Sequence, residues 1–553
     1  MRYTVLVVGG YGVFGGRLVR LLSLTREVHV LVAGRSLRAA RRFCRRYRCG
    51  QPLAFDRNGD LAAQLAALKP DVVVDAAGPF QLYGADPYRL PRAALAAGAH
   101  YLDLADDAAF VAGIRSLDAE AKAAGRAALS GVSSVPAISS AVVERFRRGM
   151  SRIEHIESVI LPGNRAPRGL SVVRAIAAQA GRPMKLWRGG EWQSVPGWSG
   201  LTAYTLSASG RTLPARDASF IGAPDLTLFP ARYGARTVIF RAGLELGVLH
   251  LGLALLAWLP RLRLLPSLSV LARPLKWMAD LCQAFGDDRG GMEVTVIGES
   301  ATRRRERRQW TLIVEAGDGP FIPAVPAFCW LHHRARGVQP TPGARPCVGE
   351  LSLEQLAVGF SYLKVVSEQT FTPEPSLFEA ALGADWPRLA APLRALHSTY
   401  RQGVQQGEAT VQTGPHPLAR LVRWMMRLPA AGERVPVCVR LHTTATQEHW
   451  QRQFGHTHFR STLRWDAQRQ RLTEQFGLLR FQLGLTVDEE GALHWPVTRG
   501  WCCGLPLPRW LLPISTSRED VDEAGRFRFD VRIALRGIGL ISHYRGWLAP
   551  GNP

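Results

Sequence analysis

The chain has 553 residues, of which 47% are hydrophobic and 21% charged. This composition is typical of folded globular domains and excludes a disordered or fibrous chain. The length predicts two to four domains, since one hydrophobic core seldom grows this large. The formal net charge of +24 favours anionic partners such as phosphorylated cofactors or membrane surfaces. Nucleic acid is not expected as a partner, because the arginines are scattered and no nucleic-acid-binding motif accompanies them.

The cysteines and histidines do not form recognisable metal sites. The eight cysteines lack the paired spacing of zinc ligands, and the adjacent Cys502 and Cys503 would need strained geometry to form a disulfide. Four histidines lie close together in the sequence: His442, His449, His456 and His458. No two of them have the i, i+4 spacing that places metal ligands on one face of a helix. We therefore expect reduced thiols and no metal. No signal peptide precedes the first apolar run, which predicts a cytoplasmic protein.

A dinucleotide fingerprint opens the chain. The apolar run at residues 3–8 is typical of a buried parallel strand, and the segment GGYGVFGG at residues 9–16 leads directly into a helical pattern. Gly10, Gly12 and Gly15 stand in GxGxxG register. Gly10 allows the tight turn, Gly12 leaves room for the pyrophosphate, and Gly15 lets helix and strand pack closely. The amino end of the helix then faces the phosphates.

The next strand, at residues 28–32, indicates which dinucleotide binds. An NAD-binding chain offers Asp or Glu to the ribose hydroxyls after this strand, but here the residues are Arg35 and Ser36. A guanidinium and a hydroxyl suit a 2′-phosphate, so the sequence favours NADP(H) over NAD(H). The alternative interpretation is that Arg35 is an ordinary solvated loop residue.

Strands and helices then alternate, with strands at residues 72–75, 100–104 and 127–129. This order predicts an α/β fold, a doubly wound parallel sheet that ends near residues 135–145. Small residues after the strand at 72–75 would let the nicotinamide ribose approach the backbone. The predicted cofactor-binding residues are Gly10, Gly12, Val13, Phe14, Gly15, Arg35, Ser36, Ala77, Gly78 and Pro79.

Candidate catalytic groups follow the strand ends. Tyr83 comes after the AAGPF turn, whereas Asp103, Asp106 and Asp107 follow the strand at 100–104. A phenol or a carboxylic acid with a raised pKa could act there as a general acid. The alternative is that these residues cap helices or turns. Tyr83, Asp103 and Asp106 are therefore weak candidates, and the sequence leaves the catalytic residues unknown.

These segments resemble the saccharopine-dehydrogenase-like NADP-binding reductases over about residues 1–370. The resemblance rests on GGYGVFGG, AGRS, AAGPF, YLDLADD and SVPAIS, and more loosely on PGARPCVGELSLEQL. It implies a Rossmann NADP-binding domain at 1–145, an α+β substrate domain at 146–372 and an oxidoreductase activity. Family members usually carry Gly-Phe-Asp-Ser-Val-Pro before the second domain. Residues 131–136 read GVSSVP, so any role of that acid is lost.

The second domain contains strand patterns at residues 293–297 and 310–315, which fit an antiparallel sheet covered on one side. It also contains the most apolar segment of the chain, residues 244–275, interrupted by Pro260 and flanked by Arg and Lys. The run at 244–259 is too short to cross a bilayer, which takes about 20 residues. It is either a buried helix or dimer interface, or a hairpin that touches an anionic membrane.

The last segment, residues 378–553, is predicted to be a β-rich α+β domain. Apolar residues alternate with polar or small ones at residues 479–487 and 526–533, a pattern typical of a sheet buried on one face. Through LHSTYRQGVQQGEATV, EHWQRQF and HYRGWL the segment resembles a bacterial domain of unknown function that is often fused behind such reductases. This resemblance implies no activity.

Two functions remain open. The first is an NADP(H)-dependent oxidoreductase that transfers hydride to or from a small or lipid-like substrate, as the apolar segment suggests. The second is a non-catalytic nucleotide-binding scaffold or lipid-binding protein at the membrane periphery, at the inner membrane surface. A homodimer is compatible with either.

Overall fold

The computed structural model describes residues 3–167, 169–301, 305–398, 403–443, 447–466 and 469–550. The chain divides into two compact units, residues 1–373 and 374–553. The ranges 1–145 and 146–372, predicted as separate domains, therefore lie in one unit. Each unit has its own hydrophobic core.

The first unit begins with a regular alternation of strands and helices. Its first six strands are β1 Tyr3–Val8, β2 Val28–Gly34, β3 Gln51–Ala54, β4 Val72–Asp75, β5 His100–Asp103 and β6 Ala127–Ser130. The helices between and after them are α1 Gly15–Leu22, α2 Leu37–Tyr47, α3 Leu61–Leu68, α4 Arg89–Ala96, α5 Ala108–Gly113, α6 Asp118–Ala123 and α7 Ser139–Arg147.

These six strands are parallel, in the order β3-β2-β1-β4-β5-β6. This is the Rossmann order, and the predicted doubly wound sheet is confirmed. In β1, Val5 and Val7 belong to the core on one face, whereas Leu6 and Val8 belong to the core on the other. Successive side chains point to opposite faces, so helices must cover both sides of the sheet. The strand order reverses between β1 and β4, where such sheets bind ligands.

The rest of the first unit adds a second sheet. Its strands are β7 Met150–Leu161, β8 Pro183–Arg188, β9 Glu191–Pro196, β10 Thr202–Ala208, β11 Arg211–Phe220, β12 Thr237–Gly243, β13 Gly290–Ser300 and β14 Arg305–Val314. The helices among and after them are α8 Leu170–Gln179, α9 Pro224–Tyr233, α10 Gly247–Leu256, α11 Trp258–Arg261, α12 Ala272–Leu281 and α13 Val325–Ala335. The unit ends with β15 Gly343–Pro346, α14 Leu353–Phe360 and β16 Val365–Pro373.

The second sheet is mixed, with the main order β10-β11-β12-β7-β13-β14-β16. The predicted antiparallel pairing of β13 and β14 is confirmed, but β12 and β7 are parallel. The expectation of a sheet covered on one side is wrong for β13, which is buried along almost its whole length. It lies between β7 and β14, in the middle of the sheet, with both faces covered. Strand β15 joins the first sheet beside β6 instead, so the predicted range 1–145 omits one strand of that sheet.

The apolar segment 244–275 forms α10, α11 and the start of α12. Helix α10 buries His250 and Leu253, whereas Val248 and Leu255 on its other side are 74% and 73% exposed. The segment is therefore not a fully buried core helix. No helix in the described parts of the chain is both long enough and apolar enough to cross a bilayer.

The second unit is a large antiparallel sheet accompanied by the short α-helices α15 Leu377–Leu382, α16 Ala391–His397 and α17 Pro417–Met426. Its strands begin with β17 Gly403–Thr413, β18 Gly432–Thr443, β19 Gln447–Phe454, β20 Thr457–Asp466, β21 Arg471–Phe476 and β22 Leu479–Leu483. They continue as β23 Thr486–Val487, β24 Leu493–His494, β25 Val497–Cys502, β26 Leu505–Pro506, β27 Ile514–Val521, β28 Phe527–Leu535 and β29 Gly539–Pro550. The predicted β-rich fold is confirmed.

Candidate functional site

The glycine-rich turn between β1 and α1 has an open face. A Cβ on Gly10 would lie 2.8 Å from the Val7 carbonyl oxygen, and one on Gly15 would collide with the Gly9 carbonyl. A Cβ on Gly12 would meet only the Gly9 oxygen, at 3.0 Å, and Gly12 is exposed. The left-handed φ of 78° lies at Gly9, which the fingerprint does not single out. Gly9 therefore makes the tight turn, while Gly12 leaves space above the backbone.

The amino end of α1 faces this open space without a capping side chain. The Ncap residue is Phe14, which makes no side-chain cap, and the first turn holds no acidic residue. Among the described residues, no hydrogen bond uses the backbone N–H of Val13 or Phe14. Free N–H groups at a helix amino end carry a partial positive charge that favours an anion. The turn can therefore hold a pyrophosphate.

The end of β2 is cationic. Arg35 and Ser36 are exposed, and the Ser36 Oγ accepts a hydrogen bond from the Ala39 N–H at 3.2 Å, which caps α2. The Ser36 hydroxyl proton stays available as a donor. Tyr11 reaches across from the glycine-rich turn, and its hydroxyl accepts from the Ser36 N–H at 3.1 Å. The first turn of α2 has no acidic residue, so this end of the strand suits a phosphate.

A buried polar network lies beneath the AAGPF loop that follows β4. Asp75 is fully buried, and its Oδ1 accepts from the Ala77 N–H at 3.0 Å. The Tyr83 hydroxyl donates to both carboxylate oxygens at 3.1 Å, and the Arg57 Nε lies 3.5 Å from Oδ2. The Arg57 guanidinium also stacks on the Tyr83 ring, 3.1 Å from its centroid. This network fixes the loop that carries Ala77, Gly78 and Pro79.

Burial dominates the electrostatics of this network. It raises the pKa of Asp75 above the usual range, although Arg57 and the hydrogen bonds to the carboxylate oppose the shift. Burial also raises the pKa of Tyr83, and the neighbouring Asp75 raises it further. A phenol with a raised pKa holds its proton strongly, so Tyr83 is better suited to positioning the loop than to giving up a proton.

Asp103 lies beside Asp75, because the two residues are in register across β5 and β4. It is fully buried, and its Oδ1 accepts from the Gly131 N–H at 2.8 Å, the Ala105 N–H at 3.0 Å and the Ser130 hydroxyl at 3.0 Å. Its Oδ2 has no hydrogen-bond partner among the described residues. Burial raises the pKa of Asp103 to about 7. Asp103 thus ties together the loops after β5 and β6.

The four residues proposed from the strand ends separate into different roles. Tyr83 is half-buried and Asp103 fully buried in one cluster at the carboxyl edge of the sheet, whereas Asp106 is exposed. Desolvation by the surrounding protein nevertheless raises the pKa of Asp106 above its usual range. The Asp107 Oδ1 accepts from the Phe110 N–H at 2.9 Å and caps α5, as the alternative interpretation holds. Sequence reasoning missed Arg57 and the site role of Asp75. A carboxylate that ends the run VVVD was a usable signal, but no local pattern marks Arg57.

The residue that precedes the apolar helix α8 lies beside the glycine-rich turn. A Cβ on Gly169, just before α8, would lie 3.8 Å from the Val13 Cγ2. Helix α8 in turn packs against residues 268–271 and α12. Helix α8 therefore connects the neighbourhood of the glycine-rich turn with the apolar segment 244–275.

The second unit holds the clustered histidines and the adjacent cysteines that the sequence analysis considered as metal or disulfide candidates. His456 and His458 are exposed, and the His449 Nδ1 lies 2.9 Å from the Thr462 Oγ1. The side chain of His442 falls outside the described residues. No group of three or more metal-ligating residues occurs within the described ranges, and Cys502 and Cys503 are free thiols.

Two known family models match separate parts of the chain. Residues 5–129 match the family model described as the saccharopine dehydrogenase NADP binding domain. Residues 389–548 match the family described as a domain of unknown function, DUF4166. The predicted resemblances are confirmed over these two ranges. A search of curated proteins finds no match to the chain.

Solved structures similar to this chain include several oxidoreductases at low identity. Apo saccharopine dehydrogenase (L-Glu forming) from Saccharomyces cerevisiae is 16% identical with a TM-score of 0.48, over 67% of this chain and 100% of the other. Biliverdin reductase from Synechocystis sp. PCC 6803, in complex with biliverdin and NADP+, is 12% identical with a TM-score of 0.29, over 65% and 96%. GenD2 from gentamicin A biosynthesis, in complex with NAD, is 17% identical with a TM-score of 0.28, over 55% and 72%.

Proposed function

We propose that this protein is an NADP(H)-dependent oxidoreductase acting on an apolar, lipid-like substrate. The observation that carries the proposal is the open glycine-rich turn of the NADP-binding domain, set beside a polar cluster at the carboxyl edge of the same sheet. The substrate class is supported by Gly169, which lies beside Val13, and by α8, which begins at the next residue and packs against the apolar segment.

The residues present fit such a cofactor. The N–H groups of Val13 and Phe14 would bind the pyrophosphate above Gly12, and Arg35 with Ser36 would bind the 2′-phosphate. The loop at Ala77, Gly78 and Pro79 would lie against the nicotinamide ribose. The bound cofactor supplies or accepts the hydride, and the protein supplies orientation and charge stabilisation.

The buried cluster keeps the nicotinamide side of the site in shape. Tyr83 and Arg57 hold Asp75, and Asp75 holds the loop through the Ala77 N–H. Asp103 holds the neighbouring loop through the Gly131 N–H. These are positioning residues. Asp106 is a solvent-exposed carboxyl group after β5, and we assign to it the transfer of a proton to or from the substrate oxygen.

A second function is favoured by one observation, the exposure of large apolar side chains in the segment around α10 to α12. A nucleotide-binding protein that docks on membranes without turnover would show the same surface. Steady NADPH oxidation in the presence of a cell lipid extract separates the two functions. We expect continuous turnover, whereas cofactor binding with no oxidation across lipid and aldehyde or ketone panels would favour the scaffold.

The assignment of Asp106 is tested by Asp106→Asn. Loss of a general acid typically slows turnover by about a hundredfold or more, whereas NADPH affinity should not change. Asp107→Asn is the matched control, because an amide oxygen can still accept the capping hydrogen bond from Phe110. Turnover that Asp106→Asn leaves intact would exclude Asp106 as the proton-transfer group and leave the cofactor site untouched.

A further inference from the structure

The DUF4166 unit encloses a cavity of about 350 Å³. Ligand pockets in proteins typically measure about 300–1,000 Å³. An apolar cavity of about 150 Å³ is already large enough to bind benzene. The lining residues are overwhelmingly aliphatic and aromatic, and they come from α17 and from most strands of the sheet, so the sheet wraps around this space.

The period-two pattern explains how the wall is built. Phe527, Phe529, Val531 and Ile533 line the cavity, and the polar residues between them point to the other face of β28. The same alternation brings Leu479, Phe481 and Leu483 of β22 to the wall. Side chains of the hydrophobic core, among them Phe527, Phe529 and Leu483, thus line the cavity as well.

The charged side chains of the wall are already paired. The Arg452 Nη2 lies 3.2 Å from the Glu474 Oε1, and its Nη1 donates to the Ser461 Oγ at 2.6 Å. The Glu519 Oε2 lies 2.6 Å from the His397 Nε2. The charged residues among those that line the cavity are Arg452, Glu474 and Glu519. Arg452 is thus paired with Glu474, and the Glu519 carboxylate shares a hydrogen bond with His397. Burying a further ionic group beside this mostly apolar wall would be unfavourable.

Two neutral donors in the wall lack partners. Trp450 and Trp495 are 4% and 7% exposed, and their rings meet edge to face, with centroids 6.0 Å apart. Neither indole Nε1 has a hydrogen-bond partner among the described residues. Buried N–H groups without partners are rare in folded proteins, because leaving them unpaired is unfavourable. A ligand with a hydrogen-bond acceptor would satisfy one or both.

The cavity has a way in beside α17. Met425 of α17 and Leu511 both line the cavity, although they are 61% and 41% exposed. Val422 and Met426 of the same helix also line it. Methionine side chains are flexible and adapt to differently shaped ligands. Helix α17 thus borders the opening with adaptable apolar groups.

We propose that this cavity binds a small uncharged amphiphile. Its volume of about 350 Å³ is more than twice the roughly 150 Å³ of a cavity that binds benzene, so there is room for an apolar chain or ring skeleton of about a dozen heavy atoms. One neutral oxygen acceptor, such as a carbonyl, binds at Trp450 and Trp495. This site is separate from the proposed redox function, which lies in the other unit.

The proposal is tested with 2-undecanone, which has twelve heavy atoms, one carbonyl and no charge. Titration calorimetry on the full chain should show one site and a negative heat-capacity change, the mark of apolar burial. Undecanoate, with a similar chain and an ionised head, should bind at least about tenfold more weakly. The absence of 2-undecanone binding would overturn the proposal, and equal binding of undecanoate would overturn the requirement for a neutral head.

Two neighbouring residues of β27 locate the site. Ser517 lines the cavity, whereas Thr516 is exposed on the other face. Ser517→Trp should fill the cavity and abolish 2-undecanone binding, and Thr516→Trp should leave it unchanged. Cooperative thermal unfolding checks that both variants fold, and Val531→Phe replaces Ser517→Trp if that variant does not. Binding that survives cavity filling would place the ligand on another surface and refute the assignment.

The indole donors are tested by Trp450→Phe and Trp495→Phe, which keep an aromatic ring and remove the N–H. Loss of one neutral hydrogen bond should weaken 2-undecanone binding about threefold to tenfold in at least one variant. Trp510→Phe, at a position 64% exposed, is the control and should not change the affinity. Unchanged affinity in both test variants would refute the role of the indoles.

Discussion

At the scale of single residues, the proposed preference between the two nicotinamide dinucleotides rests on Arg35. It is exposed at the end of β2, where no carboxylate competes for a ribose hydroxyl. NADPH should bind more tightly than NADH, and Arg35→Asp should abolish or reverse this preference. A charge-assisted contact of about 1.5–3 kcal/mol corresponds to about tenfold to hundredfold in affinity. Titration calorimetry measures both cofactors, with Arg45→Asp in the last turn of α2 as the charge-matched control. Equal affinity in the unmodified protein would contradict the assignment.

Gly12 tests the pyrophosphate cradle. A valine there would place its branched side chain in the space above the turn, while the strand and the helix keep their packing. Gly12→Val should therefore unfold cooperatively but lose the stabilisation that NADPH gives the unmodified protein. Gly319→Val is the control, because a Cβ on Gly319 meets no atom within 4 Å. The measurement is the Tm of each variant with and without NADPH. A rise in Tm on adding NADPH that persists in Gly12→Val would contradict the assignment of the glycine-rich turn as the pyrophosphate site.

At the scale of elements, the segment around α10 to α12 is expected to dock on anionic membranes. Outward leucines would bury apolar surface worth about 25 cal/mol per Å², and Arg261, Arg263 and Arg273 are exposed near them. Each cation should add about 1 kcal/mol, which salt weakens. Lys276 contributes less than the sequence suggests, because it is paired with Asp280.

Liposome flotation measures this docking. The protein should float with anionic vesicles at low salt and be released at least in part at high salt. Val248→Glu combined with Leu255→Glu should prevent flotation without unfolding the protein, because both side chains are about three-quarters exposed. Leu24→Glu, at a position 59% exposed in the same unit, is the matched control. If the protein stays unbound under every lipid composition, the segment does not bind membranes and the dimer-interface interpretation is favoured.

Local patterns predict the elements of the NADP-binding domain well, and long-range pairings poorly. The predicted limits of β1 and β4 agree with the structure, since buried β-branched runs are encoded within a few residues. Strand β15 was missed because four residues ending in proline carry no periodicity, and its pairing with β6 joins positions far apart in the chain. The site follows the same rule: the glycine positions were predictable, but the Arg57 contact with Asp75 depends on the folded loops.

At the scale of the whole molecule, the two units should respond to different ligands. Their hydrophobic cores share no residues, and the proposed cofactor and amphiphile sites lie in different units. A ligand present at a hundred times its Kd stabilises its unit by about 2.7 kcal/mol. The second unit, residues 374–553, falls in the size class of about 150–250 residues, for which this free energy corresponds to a rise of about 5–10 °C in Tm.

Differential scanning calorimetry of the full chain tests this independence. NADPH should raise the Tm of one transition and 2-undecanone that of another, because each ligand stabilises only the core that surrounds it. Ser517→Trp should remove the response to 2-undecanone and preserve the response to NADPH, and Gly12→Val should do the reverse. If both ligands shift one common transition by the same amount in every variant, the units unfold as one body and the two sites are thermodynamically coupled.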